Sequence, residues 1–419
     1  MANSFFQAFK TWLHQRRYSL TAWLSTDQQE ASEPENSLLQ LPTPLRQRLF
    51  QQLRQLPSHP EHVEQLKTEF HSAFKGWYTE NKEDSHPDDW DIGYHGNVWI
   101  IVSPSVANLQ DVIGVFLKEI AEPESESGGD IVYKGLKVRL TQWAARPDVK
   151  SLQKVLQQQF GHKISSEHKR EIVVIPCLEH CFLRSVDGLE SIDYLRKHLL
   201  SDPSRFWILG LGQVGWKYLQ AICTLDAYSD RVTHLSELSD QQLSEWIDPI
   251  ISKLDINFPS SSLQSKLSGE ELNRKEKYFK DLAKESEGID TVAIQLFLNT
   301  LQVLDEDKAD PQGDQAAPQG SKISNNFQSY QIQAKSPKHP SLPKLNGENI
   351  YLLYSLLLHR TLTKEELAES LGLISAQIEH PVQILRKAGV IEQQAKTLRL
   401  NPIYYSTVCT KLAGDNFSV

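Results

Sequence analysis

The chain has 419 residues and a mass of 47.8 kDa, too much for one ordinary core, so about two or three domains are expected. A hydrophobic fraction of 39% with 23% charged residues suits a globular protein with some polar connecting stretches. The net charge of -9 argues against a general nucleic-acid binder, the cysteines Cys177, Cys181, Cys223 and Cys409 make no disulfide framework, and no apolar run reaches the ~20 residues that span a bilayer; a cytoplasmic protein is expected.

Residues 1–90 read as a helical N-terminal segment. Phe5, Phe9, Trp12, Leu13, Leu20, Trp23 and Leu24 recur at three- and four-residue steps, with Lys10, Arg16 and Arg17 among them. Such a stripe can lie on an anionic membrane surface or pack on its own protein, and both readings stay open. Residues 27–40 read as a linker, and two further helices are expected from Leu45 to Leu56 and from His62 to Trp77.

The texture changes at Asn97. Asn97 to Val102 is a short apolar strand, followed by Ser-Pro-Ser and a helix from Leu109 to Ile120; the acidic, glycine-rich stretch 122–130 is a loop. Tyr133 to Trp143 offers another strand, Ile172 to Ile175 a β-branched central one, and Phe206 to Leu209 a third apolar run that leads into a helix around Trp216 to Ile222. Short buried strands alternating with helices predict an α/β domain over 91–240 with a parallel sheet. Helices over 240–253, 270–287 and 290–304 would form a lid (241–304), and the Asp-, Gln-, Pro- and Ser-rich stretch 305–345 a disordered linker.

A phosphate loop needs a strand, the pattern G-x-x-x-x-G-K-[ST] and a helix, because glycines let backbone amides approach phosphates, Lys reaches the β/γ-phosphates and the hydroxyl holds Mg²⁺. The strand and helix are in place, but the loop reads Ser103-Pro104-Ser105-Val106-Ala107-Asn108-Leu109-Gln110. Ser103 and Asn108 replace the glycines, Leu109 the lysine and Gln110 the hydroxyl residue. The next strand, Ile172 to Ile175, runs into Pro176, where an ATPase places a carboxylate; Glu179 is the nearest acid, three residues out of place. Hydrolysis is not expected from this loop, although the helix N-terminus keeps amides for weak anion binding.

From Asn97 to Leu304 the order of elements resembles AAA-type and STAND-type P-loop ATPases: nucleotide-loop strand, acidic strand, sensor strand, helical lid. Cys181 to Leu189, Arg205 to Leu209 and Trp216 carry the likeness after the acidic strand. The whole chain is similar in texture to ATPase-like proteins of cyanobacteria. The resemblance implies an α/β core of the P-loop NTPase type with degenerate motifs, followed by a winged-helix domain.

Gly210-Leu211-Gly212-Gln213-Val214-Gly215 is a literal G-x-G-x-x-G between a strand and a helix, with Asp230 or Glu237 downstream. Gly210, Gly212 and Gly215 could approach a dinucleotide, or form a sensor-strand turn; the helical texture that follows and the bulk of Trp216 favour the turn. Cys177-Leu178-Glu179-His180-Cys181 lacks the second ligand pair that a zinc site draws on, so buried cysteines are expected. No cofactor and no metal are assigned.

Residues 346–419 are expected to fold as a winged helix: a helix from Asn349 to Leu358, a capping box at Thr363 and Glu366, a stop at Gly372, a third helix from Ser375 to Lys387 broken in its regularity by Pro381, and a wing from Val390-Ile391 and Thr397 to Leu400. The third helix carries Glu379 and His380, with Arg386 and Lys387 only at its end. Acidic and basic residues balance over the domain, which suits docking on a protein partner better than neutralising DNA phosphates. The expectation is a non-catalytic pseudo-ATPase that works as a regulatory, scaffold or assembly protein, with peripheral membrane contact through its N-terminal helix. A DNA-binding regulator and a dinucleotide-binding protein are the alternatives.

Overall fold

The computed structural model describes residues 38–80, 96–121, 131–141, 146–147, 149–160, 170–229, 231–258, 268–304 and 332–419. One compact unit comprises Gln40–Val303 and Ile323–Val419; the other, Met1–Leu39 with Leu304–Lys322, has only Leu38, Leu39 and Leu304 among the described residues. The N-terminal stripe Phe5, Phe9, Trp12, Arg16 and Arg17 therefore lies outside the described residues, as does most of the stretch expected to be a linker.

Two helices open the larger unit, α1 (Thr43–Arg54) and α2 (Pro60–Glu80). Proline at the first position of α2 costs nothing there, since its missing N–H would have no helical partner. Val63, Leu66, Phe70, Phe74 and Trp77 follow at three- and four-residue steps, and all are buried.

The α/β core follows. Its elements are β1 (Val98–Ser103), α3 (Leu109–Ile120), β2 (Ile131–Tyr133), β3 (Leu136–Leu140), α4 (Val149–Phe160), β4 (Glu171–Ile175), α5 (Glu190–Ser201), β5 (Arg205–Gly212), α6 (Gln213–Cys223) and β6 (Arg231–His234). The sheet runs β2-β3-β4-β5-β1-β6, parallel except for the β2–β3 pair. This is the expected mixed α/β class with a mainly parallel sheet. Tyr133 to Trp143 is not one strand, because Lys134 (φ 48°) and Gly135 (φ 74°) turn the chain into a β2–β3 hairpin.

Both sheet faces are covered, so β1, β4 and β5 are buried along their whole length. Alternation divides the side chains. Trp99, Ile101, Ile172, Val174, Phe206 and Ile208 meet α2 and α3 on one face. Val98, Ile100, Val102, Val173, Ile175, Trp207, Leu209 and Leu211 belong to the other core, with α4, α5 and α6. At the strand N-termini, buried Glu171 bridges Arg205 (2.6 Å) and Arg139 (2.9 Å). The Asn97 amide donates to the carbonyls of Leu199, Asp202 and Arg205, tying the entry of β1 to α5 and β5.

The lid region holds α7 (Asp240–Leu254), α8 (Ser268–Ser286) and α9 (Asp290–Thr300). The last expected helix stops four residues early: Leu301–Leu304 forms β7, which pairs antiparallel with β8 (Ile332–Ala334). Residues 332–345 are also not the tether expected of them. Ile332 and Ala334 are buried, Asn257 exchanges backbone hydrogen bonds with β8, and His339 bonds the carbonyls of Ile403 and Glu285. Alternating apolar residues there found a neighbouring strand edge to join.

The C-terminal region runs α10 (Gly347–His359), β9 (Leu362–Thr363), α11 (Lys364–Leu371), α12 (Ser375–Lys387), β10 (Ile391–Gln394), β11 (Thr397–Leu400) and α13 (Tyr405–Gly414). The strands form an antiparallel sheet β9-β11-β10. Thr363 caps α11 in a reciprocal box with Glu366, and Gly372 ends it in the left-handed region at φ 67°. Pro381 does not break α12, which runs through it, and α13 had no sequence signal. This region is not separated from the core as a domain of its own but belongs to the same compact unit.

Candidate functional site

In open α/β sheets ligands bind outside the carboxyl ends of the strands. At that edge, β1 delivers the loop Ser103 to Asn108, β4 the turn Pro176 to Cys181, and β5 the turn Gly212 to Val214. All three converge, and what fills the space between them is protein.

Glu179 is the centre. After β4, Leu178–Cys181 coils into one 3-10 turn and Glu179 becomes fully buried. Its Oε1 accepts the Gly212 N–H and its Oε2 the Cys177 thiol (3.3 Å). Burial and the facing carboxylate push the Cys177 thiol up to about 12, and burial raises Cys181 well above the ordinary range. Both sulfurs therefore stay protonated. The sequence offset that seemed to disqualify Glu179 is taken up by the 3-10 turn, which carries its carboxylate to the start of α6.

The three glycines of the literal fingerprint are used for close packing. A Cβ on Gly210 would stand 2.7 Å from the Pro176 carbonyl oxygen, and one on Gly212 would stand 3.0 Å from Ser105 Cα and Glu179 Oε1. One on Gly215 would meet Glu179 and the Leu358 carbonyl at 3.4 Å. The amides that open α6 are also engaged, since Gly212 N–H is held by Glu179 and Val214 N–H donates to Ser105 Oγ (3.3 Å).

The loop from Ser103 to Gln110 is held in the same manner. Ser103 is buried at the end of β1, Leu109 is buried in the aromatic core, and Asn108 bonds Asp111 within the first turn of α3. Gln110 lies close enough to bond the Cys177 sulfur. The Ala107 carbonyl accepts from the guanidinium of Arg360, which follows α10. Arg360 sits at φ 62°, the left-handed region that a side chain resists.

Four more cationic or imidazole groups gather beside this loop. Arg146 is 2% exposed; it donates to the Glu179 carbonyl (2.9 Å) and lies 3.6 Å from Glu366, while its Nε finds no hydrogen-bond partner. Arg184 donates to Ser355 Oγ (3.4 Å) and the Ser370 carbonyl (3.1 Å). Its backbone N–H donates to His359 Nε2 (3.2 Å), so that imidazole must be neutral there. Burial, then Arg146 and Arg360, lowers His180 to about 4; burial, then Arg146 and Arg184, holds His359 well below its usual value. None of these long-range partners had a local sequence signal. Among the described residues no group of three or more His, Cys, Asp or Glu is placed to hold a metal ion. Arg386 and Lys387 lie at the far end of α12, and the structure brings neither into this cluster.

No family model matches the chain, and no curated protein matches it. Solved structures overlap it loosely. The Escherichia coli MS115-1 HORMA:CdnC:Trip13 complex matches at 9% identity and TM-score 0.32, over 61% of this chain and 83% of that one. Aeropyrum pernix ORC2 in ADPNP and ADP complexes matches at 12% and 0.30, over 77% and 89%. The Thermotoga maritima RuvB Holliday junction branch migration motor matches at 12% and 0.29, over 83% and 94%. Overlap this loose says nothing about activity. Among the described residues no helix is long and apolar enough to cross a membrane.

Proposed function

We propose that this protein is a non-catalytic pseudo-ATPase on the P-loop plan, working as a regulatory, scaffold or assembly protein through contacts with another protein. The observation that supports this reading is the filled carboxyl edge of the sheet. In the loop after β1 the Ala107 N–H is bonded to the Pro104 carbonyl (2.9 Å), in the turn after β5 the Gly212 and Val214 amides are bonded to Glu179 and Ser105, and the Arg360 guanidinium rests on the loop carbonyl of Ala107. A strained residue is kept where surrounding structure over-determines it; Arg360 accepts a left-handed backbone and gains a bond that closes the loop.

The region from Asn346 onward is read as a winged helix on the strength of its element order and its sheet β9-β11-β10. Its role is protein docking: Lys364 is neutralised by Glu379 (2.7 Å) and Arg399 by Glu392 (2.7 Å). The exposed cations left in α12 and the wing without an ion pair among the described residues, Arg386, Lys387 and Lys396, are fewer than the several phosphate contacts a DNA reader makes. The aromatic and basic stripe of Phe5, Phe9, Trp12, Arg16 and Arg17 is assigned to peripheral membrane contact.

Titration calorimetry of the full chain with ATP, ADP and NAD(P)H, each with Mg²⁺, tests the reading. No saturable heat is expected, for the wild type or for Arg360→Ala. Saturable ATP binding followed by turnover would overturn the pseudo-ATPase assignment, and selective NAD(P)H binding would move the function to Gly210–Gly215.

A further inference from the structure

A groove of about 560 Å³ opens between the loop at Arg184–Val186 and helices α10, α11 and α12. Its floor is firm: Leu352 and Ile378 are fully buried. Its sides are apolar and open to solvent, with Val186 at 100% exposure and Tyr351 at 51%, and Ile374 on the adjoining turn at 67%. Single exposed apolar residues are ordinary, but a cluster around one concave feature marks an interaction site.

The charge of this groove is unbalanced. Glu348 and Glu369 line it, both exposed, and neither carboxylate has an ion pair or hydrogen bond among the described residues. Neighbouring acids are spent: Glu379 on Lys364, and Glu366 on the Thr363 cap and Arg146. The one lining cation, Arg184, turns inward to Ser355 and Ser370 and lies over the Tyr354 ring.

We propose that this groove docks a short segment of a partner protein in which apolar side chains are flanked by Lys or Arg. The apolar side chains cover Val186, Tyr351 and Ile374, and the flanking cations meet Glu348 and Glu369. Carboxylates at the rim turn away acidic segments, and they turn away a phosphate backbone for the same reason. This inference rests on the protein-docking reading above and gives that partner a chemistry.

Fluorescence anisotropy tests it on the full chain, using labelled synthetic peptides with one Leu- and Phe-containing apolar pattern flanked either by Lys/Arg or by Glu. The basic peptide is expected to bind and to weaken with added salt, while the acidic one does not. The double variant Glu348→Lys, Glu369→Lys is expected to reverse that preference. Ile374→Ser, at an exposed position that leaves folding unchanged, is expected to weaken binding about tenfold, more than most interface truncations do. Binding of neither peptide, or a preference for the basic one that survives charge reversal, overturns the proposal. Capture of the acidic peptide, lost in Ile374→Ser, overturns the partner chemistry but keeps a docking role. ATP turnover in the companion calorimetry would instead remove the docking reading itself.

Discussion

Two regions around the sheet, the core on one face and the carboxyl edge, are built from different chemistry. Against α2 and α3 the packing is dry and aromatic: the Phe70 ring lies 5.1 to 6.1 Å from those of Phe74, Trp99, Phe116, Tyr133 and Phe206. At the carboxyl edge, where α10 and α11 meet the loops, the packing is polar, with Glu179, His180 and His359 buried beside the guanidinium groups of Arg146 and Arg360. In the first region the rings gain from being out of water, and the indole N–H groups of Trp77 and Trp99 are bonded to the Pro203 carbonyl and Thr233 Oγ1. In the second, Arg146 Nε, Arg360 Nη1 and His359 Nδ1 are buried without partners, and each such group costs free energy that packing must offset. Of these two regions the aromatic layer is therefore the one that stabilises without such a cost, and the polar edge is where a change of charge shifts the equilibrium.

Phe70→Ala breaks this comparison most directly. Truncating a fully buried aromatic costs about 3–5 kcal/mol, and five ring contacts vanish at once. Urea unfolding should show that loss with no change in the acid sensitivity of the protein, because the polar edge is untouched. A loss below about 1 kcal/mol, small for a core truncation, would mean that the aromatic layer is not the stabilising half.

The aromatic half was legible in the sequence, since steps of three and four residues from Val63 to Trp77 and apolar runs at Val98 and Ile172 mark buried faces whatever lies opposite them. The polar edge was only half legible. Loss of the phosphate-loop chemistry could be counted off residue by residue from Ser103 to Gln110. The use made of Glu179, by contrast, was not legible, because offset along the chain says nothing about a 3-10 turn that folds a carboxylate back onto the Gly212 amide. Arg146 and Arg360 carry no local signal, as their partners stand more than thirty positions away. The β2–β3 hairpin did have a signal, the Lys134-Gly135 dipeptide inside an otherwise continuous run. The strand at 332–334 did not, because three residues are too few for a period and the surrounding composition reads as a tether.

His359→Gln sharpens the comparison by acid. In the folded protein His359 accepts the Arg184 N–H on Nε2, so a proton there would set two donors face to face beside two guanidinium groups. Its folded pKa is therefore held well below 6.5, and that of His180 is lowered to about 4. A depressed histidine binds more protons unfolded than folded. Its contribution is thus complete above pH 6.5 and is lost as pH falls toward 4, with a limit of about 1.4 kcal/mol per pH unit for each imidazole. Glutamine keeps an acceptor for Arg184 but does not titrate. The variant should be less stable than wild type at neutral pH, where packing on Phe182 is lost, and the gap should narrow between pH 6.5 and 4. Parallel stability curves would show that His359 does not titrate with folding.

Thr363→Ala makes the smallest change and asks how far the polar edge extends. The Thr363 hydroxyl accepts the Glu366 N–H (3.2 Å), and Glu366 returns the bond to the Thr363 N–H (2.7 Å). Removing a cap of this type costs about 1 kcal/mol. Glu366 also faces Arg146, so the box and the buried guanidinium share one carboxylate. If the cap acts alone, Thr363→Ala should cost about that amount by urea unfolding and leave the acid profile unchanged, since the remaining bond from Thr363 N–H still orients Glu366. A cost of several kcal/mol together with a shifted acid profile would mean that the first turn of α11 and the Arg146 cluster melt as one unit. In that case the polar edge, not the aromatic layer, would set the cooperativity of the C-terminal helices.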